Sequence, residues 1–388
     1  MSKHLLRRTG LLAPMFFPLL LFIFLISWDA YFRVSPEIAK ASWISDQLDF
    51  ENLTLIGSGN IPMPPGTPVA HASSLVTMPK ASPYSLLAFW FAGTKESAPD
   101  VGIAASAFDR KRQSWVTVRL VVNRHELGET LGFGVRRLGN PVAWLDSTQR
   151  LHLFVVATGL GGWAASRIVH LRQKASATED FDSLGFEAVR ILPLSWFWNT
   201  SFLVRTAPMR LVDKGMVLPV HFELGIKFPV ALRFDLNGEF LGMVRMSQRR
   251  HLLQPTLVMI DERHWLALMR DQRSVGHIGA AQTVDGGANW QDLPDLNLIN
   301  PNSSVAGLGL APGFMALAHN STANSRSHLD LSQSIDGKTW STLHRLAQGA
   351  ETDEYSYPAL AWADDCLWVS YTDQRKRIAW QRFAKNNN

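Results

Sequence analysis

Thr283-Val-Asp-Gly-Gly-Ala-Asn-Trp290 and Ser334-Ile-Asp-Gly-Lys-Thr-Trp340 are two copies of one turn, the second a residue shorter. In each, the aspartate can accept backbone N–H bonds within the turn, glycine supplies a position of positive φ, and tryptophan packs the hairpin. Degenerate versions run over 106–115 and 176–186. A turn that recurs together with its packing residue implies that the hairpin around it recurs. In a sheet of four strands it falls between the third and the fourth.

On both sides of these turns, short apolar runs alternate with polar or glycine-containing loops, and from His71 onward helical periodicity is scarce. The runs pair as 74–76 with 86–91, 141–144 with 151–156, 202–204 with 216–220, 255–258 with 265–269, 305–308 with 314–317, and 358–361 with 367–371. Six units spaced by roughly 50 to 67 residues fit the four-stranded blades of a propeller. This regularity exceeds what a two-sheet sandwich needs. The sixth unit is one strand short, and an N-terminal strand near Leu53-Thr-Leu-Ile56 is expected to complete it and close the ring. The expected fold is therefore all-β, a six-bladed propeller over 69–388, preceded by a stalk and entry strand over 29–68.

The N-terminus reads differently. Lys3, His4, Arg7 and Arg8 precede the run 11–28, apolar apart from Pro14, Pro18 and Ser27. Eighteen residues rising about 1.5 Å each reach roughly 27 Å, enough to cross a bilayer core. Residues 1–28 are expected to form a transmembrane signal-anchor, with the positive flank inside and the propeller extracytoplasmic. A cleavable signal peptide is the rival reading. The chain carries a formal charge of +5, with lysines and arginines spread out rather than in tracts. That argues against nucleic acid as a partner and suits an anionic substrate. One cysteine, Cys366, excludes an internal disulfide. The 12 histidines form no metal-ligand spacing, so no metal and no cofactor are expected.

The repeated turns match the Asp-box, and the body from His71 to Phe383 resembles the sialidase (neuraminidase) superfamily, in particular its bacterial Asp-box, BNR-repeat-like branch. In that family three arginines clamp the substrate carboxylate, an aspartate on a loop serves as acid/base, and a glutamate activates a tyrosine nucleophile. Sialidases are the tyrosine exception among glycosidases. The resemblance makes Asp100, in Ala88-Phe-Trp-Phe-Ala-Gly-Thr-Lys-Glu-Ser-Ala-Pro-Asp100, the proton donor, with Glu96 as the neighbouring carboxylate. It makes Tyr357, in Glu354-Tyr-Ser-Tyr-Pro-Ala-Leu360, the nucleophile, with Tyr355 beside it, and it makes Arg270 and Arg326 the second and third clamp arginines. Guanidinium forks bind carboxylates bidentately, so an anionic sugar follows.

Two positions depart from the family pattern. The family's Arg-Ile-Pro is replaced by His71-Ala-Ser-Ser-Leu75, and the glutamate's place holds Gln254, which cannot take a proton at neutral pH. Glu223, with His221 on the same strand face, offers a spare carboxylate, and Arg205 a replacement positive charge. Further substrate-binding candidates are Asn199, Trp163 and Arg167, with Asn140, Asn300 to Ser304 and Asn320 at matching positions. Amides and aromatic faces suit sugars, although each asparagine is equally well explained by loop ordering. Three functions follow. The first is an exo-acting, sialidase-like hydrolase of an anionic sugar. The second is a polysaccharide lyase or other-sugar glycosidase, with His71 and Tyr357 as base and acid. The third is a non-catalytic glycan-binding module.

Overall fold

The computed structural model describes residues 13–32, 38–44, 53–96, 98–174, 181–273 and 276–385. The degenerate turn beginning at Ser176 and the basic residues Lys3, His4, Arg7 and Arg8 lie outside these residues. Six sheets form in chain order, each a meander from the axis outward. Their innermost strands are Val69–Thr77, Arg137–Leu145, Phe202–Val204, Leu252–Met259, Ala306–Ala311 and Tyr355–Ala363. The sixth sheet is completed by Leu53–Asn60, which pairs antiparallel with Arg377–Lys385. N-terminal and C-terminal strands thus share one blade, which ties the two ends of the ring together.

The core is a belt of apolar clusters, one at each junction between neighbouring blades. Between blades six and one, Trp90, Phe108 and Trp368 are fully buried with Trp380 and Trp115 against them. Phe108 meets Trp368 edge-on, with centroids 4.7 Å apart. Each such side chain contributes on the order of 2–3 kcal/mol by leaving water.

The repeated turns sit where expected, between third and fourth strands of blades four and five. Asp285 Oδ1 accepts from Thr283 Oγ1 at 2.8 Å and from Asn289 N at 2.9 Å, and Trp290 Nε1 donates to Gly287 O at 3.1 Å. Asp336 Oδ1 accepts from the backbone of Lys338 and Thr339, both at 2.8 Å. Gly337 has φ +71°, and a Cβ there would lie 2.3 Å from Leu266 Cδ1. Asp285→Ala is expected to cost about 1 kcal/mol by leaving these donors unpaired, read as a lowered denaturation midpoint with the fold intact.

Two helices stand outside the blades. The first, α1 (Ala13–Phe32), has Pro18 inside it and runs past the expected end at Trp28. Its described side chains, over 17–28, are almost all exposed, Phe17 and Leu20 among them. Among the described residues no helix is long and apolar enough to cross a membrane, so the expected spanning helix is not supported. The second helix, α2 (Arg124–Leu131), joins blade one to blade two and was not anticipated. Asn123 Oδ1 caps its start by accepting from His125 N at 2.7 Å, and Gly132, at φ +69°, ends it. Leu127 is its single buried residue, so the sequence carries no apolar stripe to betray it.

Candidate active site at the propeller axis

Every blade places one non-glycine residue in the left-handed region at or near the start of its innermost strand. These are Ala72, Asn140, Ser201, Gln254, Asn302 and Tyr357, with φ between 44° and 69°. In blades one, two, four and six the pairing register shifts at that point, as at a β-bulge. Such backbone costs on the order of 1 kcal/mol or more per residue and re-aims side chains. Here it gathers polar side chains from different blades around one phenol.

Tyr357, in blade six, is that phenol. The His71 ring of blade one lies 4.2 Å from its ring centroid. The Arg205 guanidinium of blade three stands 5.0 Å over the ring, and that of Arg326 in blade five 5.9 Å. Gln254 Nε2, from blade four, reaches the hydroxyl at 3.4 Å. Arg270, also from blade four, donates from Nη1 to Gln254 Oε1 at 3.2 Å and from Nε to Asn302 Oδ1 at 2.6 Å. Burial alone would raise the Tyr357 phenol. Arg270, the Gln254 hydrogen bond, Arg326 and Arg205 overcome that and hold it below its ordinary value.

His71 is buried, and burial, aided by the charges of Arg375, Arg205 and Arg326, pushes its imidazole well below the ordinary value, so it stays neutral. Its Nδ1 and the Nε of Arg205 have no hydrogen-bond partner among the described residues. Arg205 is only 2% exposed. His221 Nε2 and Glu223 Oε2 lie 3.2 Å apart, as their shared strand face implies, and Lys227 Nζ donates to Glu223 Oε1 at 2.6 Å. Burial would raise the Glu223 carboxyl, but His221 and Lys227 bring it down to about 2.

A second layer was not singled out from the sequence. Glu354 Oε1 accepts from Arg326 Nη1 at 2.9 Å and from Ser356 Oγ at 2.8 Å, and its Oε2 accepts from Arg375 Nε at 2.7 Å. Arg375 also ion-pairs with Glu96. Glu354 sits in the stretch quoted for Tyr357, and its charge was the available signal. Arg375 had none, because it comes to the site only through the register of the last hairpin. Burial would raise the Glu354 carboxyl, but Arg375, Ser356 and Arg326 draw it from 4.5 to about 2. A folded-state value below the unfolded one stabilises fully above about pH 4.5, and that stability is lost as pH falls towards 2. Denaturation midpoints measured across this window are expected to fall more steeply for the parent protein than for Glu354→Gln.

The remaining candidates lie elsewhere. Asp100 is exposed and accepts from Thr94 N at 2.8 Å and Thr94 Oγ1 at 2.9 Å, capping its own loop. Glu96, on that loop, is the carboxylate joined to the axial cluster. Asn199 orders the loop before blade three, accepting from Leu194 N at 2.9 Å and donating to Leu192 O at 2.9 Å. Trp163 packs over Gly139 at the junction of blades two and three, and Arg167 covers the Phe133 ring at 4.9 Å. Asn300 pairs with the backbone of Ser303. Asn320 Nδ2 donates to Tyr355 O and His328 O, both at 2.8 Å, seating blade six against blade five. Tyr355 belongs to that junction's apolar packing. Among the described residues no group of side chains is arranged to hold a metal ion.

Residues 84–369 match the family described as the BNR repeat-like domain. No curated protein matches the chain. Among solved structures, the Hadza microbial sialidase Hz136 superposes with a TM-score of 0.65 at 15% identity, covering 82% of this chain and 66% of its own. Trypanosoma rangeli sialidase bound to the inhibitor DANA gives 0.65 at 11% identity, with coverages of 85% and 60%. A protein of unknown function from Dyadobacter fermentans gives 0.66 at 10%, with coverages of 87% and 100%. At these identities the likeness is one of fold, and the chain spans two thirds or less of the two sialidases' lengths.

Proposed function

The chain belongs to the BNR repeat-like domain family, within the sialidase-like superfamily, and on that premise we propose that it is an exo-acting glycoside hydrolase of a sialic-acid-like sugar. One observation carries this reading: guanidiniums from three blades gather around the Tyr357 phenol, Arg205 at 5.0 Å and Arg326 at 5.9 Å from its ring centroid and Arg270 at 3.2 Å from its hydrogen-bond partner Gln254. The anomeric carbon of such a sugar bears a carboxylate, which repels an anionic nucleophile. A phenol among arginines meets both demands, since the same guanidiniums can hold the carboxylate. In this reading Tyr357 loses its proton to solvent and attacks the anomeric carbon as the phenolate that the guanidiniums favour. The glycosidic C–O bond breaks, and Asp100, in its protonated form and released from Thr94, gives its proton to the departing oxygen. Water then hydrolyses the glycosyl–tyrosine. Gln254 orients the phenol and takes no proton. A fluorogenic sialoside tests the reading: turnover by the parent, with KM raised at least tenfold in Arg270→Ala, supports it. Binding without turnover would instead mark a glycan-binding module.

The His71–Tyr357 contact favours a second reading. A neutral imidazole beside a phenol can serve as base and acid in β-elimination of a uronic-acid polysaccharide. A product with the ultraviolet absorbance of a conjugated unsaturated acid would select it.

We also place the propeller outside the cytoplasm with the 11–28 run as its tether, supported by the exposed apolar side chains of α1 and the basic flank before it. Release of the protein from membranes by alkaline carbonate would overturn the tether.

A further inference from the structure

Beside the axial site lies a cleft of about 990 Å³, lined by Pro99, Arg124, His125, Phe133, Arg136 and Arg137, with Glu129 its one carboxylate. Ligand pockets run roughly 300–1,000 Å³, so this one exceeds what a single sugar needs. Its position follows from the fold. Helix α2 leads into Arg137–Leu145, the innermost strand of blade two, which packs against the innermost strand of blade one, Val69–Thr77, where His71 sits. The opposite wall, Pro99, precedes Asp100 on the loop that also carries Glu96. Arg124 fastens the two walls, donating to Pro99 O and, from Nη1, to Val135 O at 3.0 Å.

The charge of the cleft is unspent. Arg326 and Arg375 at the axis share Glu354, whereas the guanidiniums of Arg136 and Arg137 have no hydrogen bond or ion pair among the described residues. Phe133 offers an aromatic wall beside them, with Arg167 over its ring at 4.9 Å. Uncancelled guanidinium forks on a concave surface, next to an aromatic ring, suit carboxylate-bearing sugars.

We propose that this cleft is a second subsite, which holds further acidic units of an oligosaccharide whose terminal unit occupies the axial pocket. The inference rests on the axial reading, and it makes an acidic oligomer, rather than a single acidic sugar on a neutral glycan, the preferred ligand.

Calorimetric titration of the full chain carrying Tyr357→Phe, so that no oligomer is cleaved, with α2,8-linked oligomers of sialic acid one to four units long tests it, with maltotetraose as the neutral control. The tetramer is expected to bind at least tenfold tighter than the monomer. That advantage should fall below threefold in Arg136→Ala/Arg137→Ala, return in part in Arg136→Lys/Arg137→Lys, and weaken as salt rises. A tetramer no tighter than the monomer would overturn the subsite, as would a full length advantage in the double alanine variant or an equal gain with maltotetraose. Failure of the axial reading looks different: monomer affinity would be untouched by Arg270→Ala, while the Arg136- and Arg137-dependent length advantage persisted.

Discussion

Replacing Tyr357 by phenylalanine is expected to lower turnover of an aryl sialoside by about a thousandfold or more, the usual order for loss of a nucleophile. The ring's contact with His71 and the guanidiniums over its face need no hydroxyl. The hydroxyl's hydrogen bond to Gln254 is a long one at 3.4 Å, and Arg270, its other polar neighbour, keeps its bonds to Gln254 and Asn302. The variant should therefore fold and bind with little change, and the loss should fall in kcat. Asp100→Ala sets a contrast. An aryl leaving group departs without a proton, so this variant is expected to lose far more activity on a natural glycoside than on the aryl one. Equal losses on both substrates would remove Asp100 from the proton-donor role and leave Glu96, the carboxylate that reaches the cluster through Arg375, as the candidate.

The second large effect is on stability. Arg205 crosses the axis from blade three, donating from Nη1 to Ser73 O of blade one at 3.2 Å and from Nη2 to Pro358 O of blade six at 2.9 Å. Burial lowers its guanidinium to about 10, and no carboxylate pairs with it among the described residues. Arg205→Ala opens a cavity and strands two buried carbonyls, for an expected cost of about 3–4 kcal/mol. The melting temperature should fall by about 4–5 °C. Arg205→Met fills the space without supplying donors, so it should recover part of the loss. Both variants also remove a cation from above the Tyr357 ring, and spectroscopic titration should show the phenol moving up. An unchanged melting temperature in Arg205→Ala would contradict the strut.

What could be read from the sequence was local chemistry and repetition. The Asp-boxes are legible because Asp285, Gly287 and Trp290 complete their contacts within one turn. The closing strand at Leu53–Asn60 was legible because the sixth unit was visibly one strand short. The axial set of His71, Gln254, Arg270, Arg326 and Tyr357 was found because the stretches that hold them resemble the sialidase pattern, and Arg205 because a positive charge was missing from that pattern. The cluster's outer members were hidden for a physical reason. Arg375 meets Glu354 only because the register of blade six brings the last hairpin back to the mouth. Choosing between Asp100 and Glu96, four positions apart on one loop, needs the loop's own hydrogen bonds. Trp163, Arg167 and Asn199 had the right chemistry for a sugar pocket, yet their partners are a glycine, a phenylalanine and a loop backbone.

The central claim is that Tyr357 forms a bond to the anomeric carbon of an acidic sugar. A fluorinated sialic acid, of the kind present in the Trypanosoma rangeli complex described as a covalent intermediate, tests it directly. Attack by the phenol oxygen expels fluoride, and the neighbouring fluorine slows hydrolysis of the product. After incubation with 2,3-difluorosialic acid, intact-mass measurement should show one added sugar. Peptide mapping should place it on Tyr357, and Tyr357→Phe should remain unlabelled. An unlabelled parent protein, or a label on any other residue, would contradict the account.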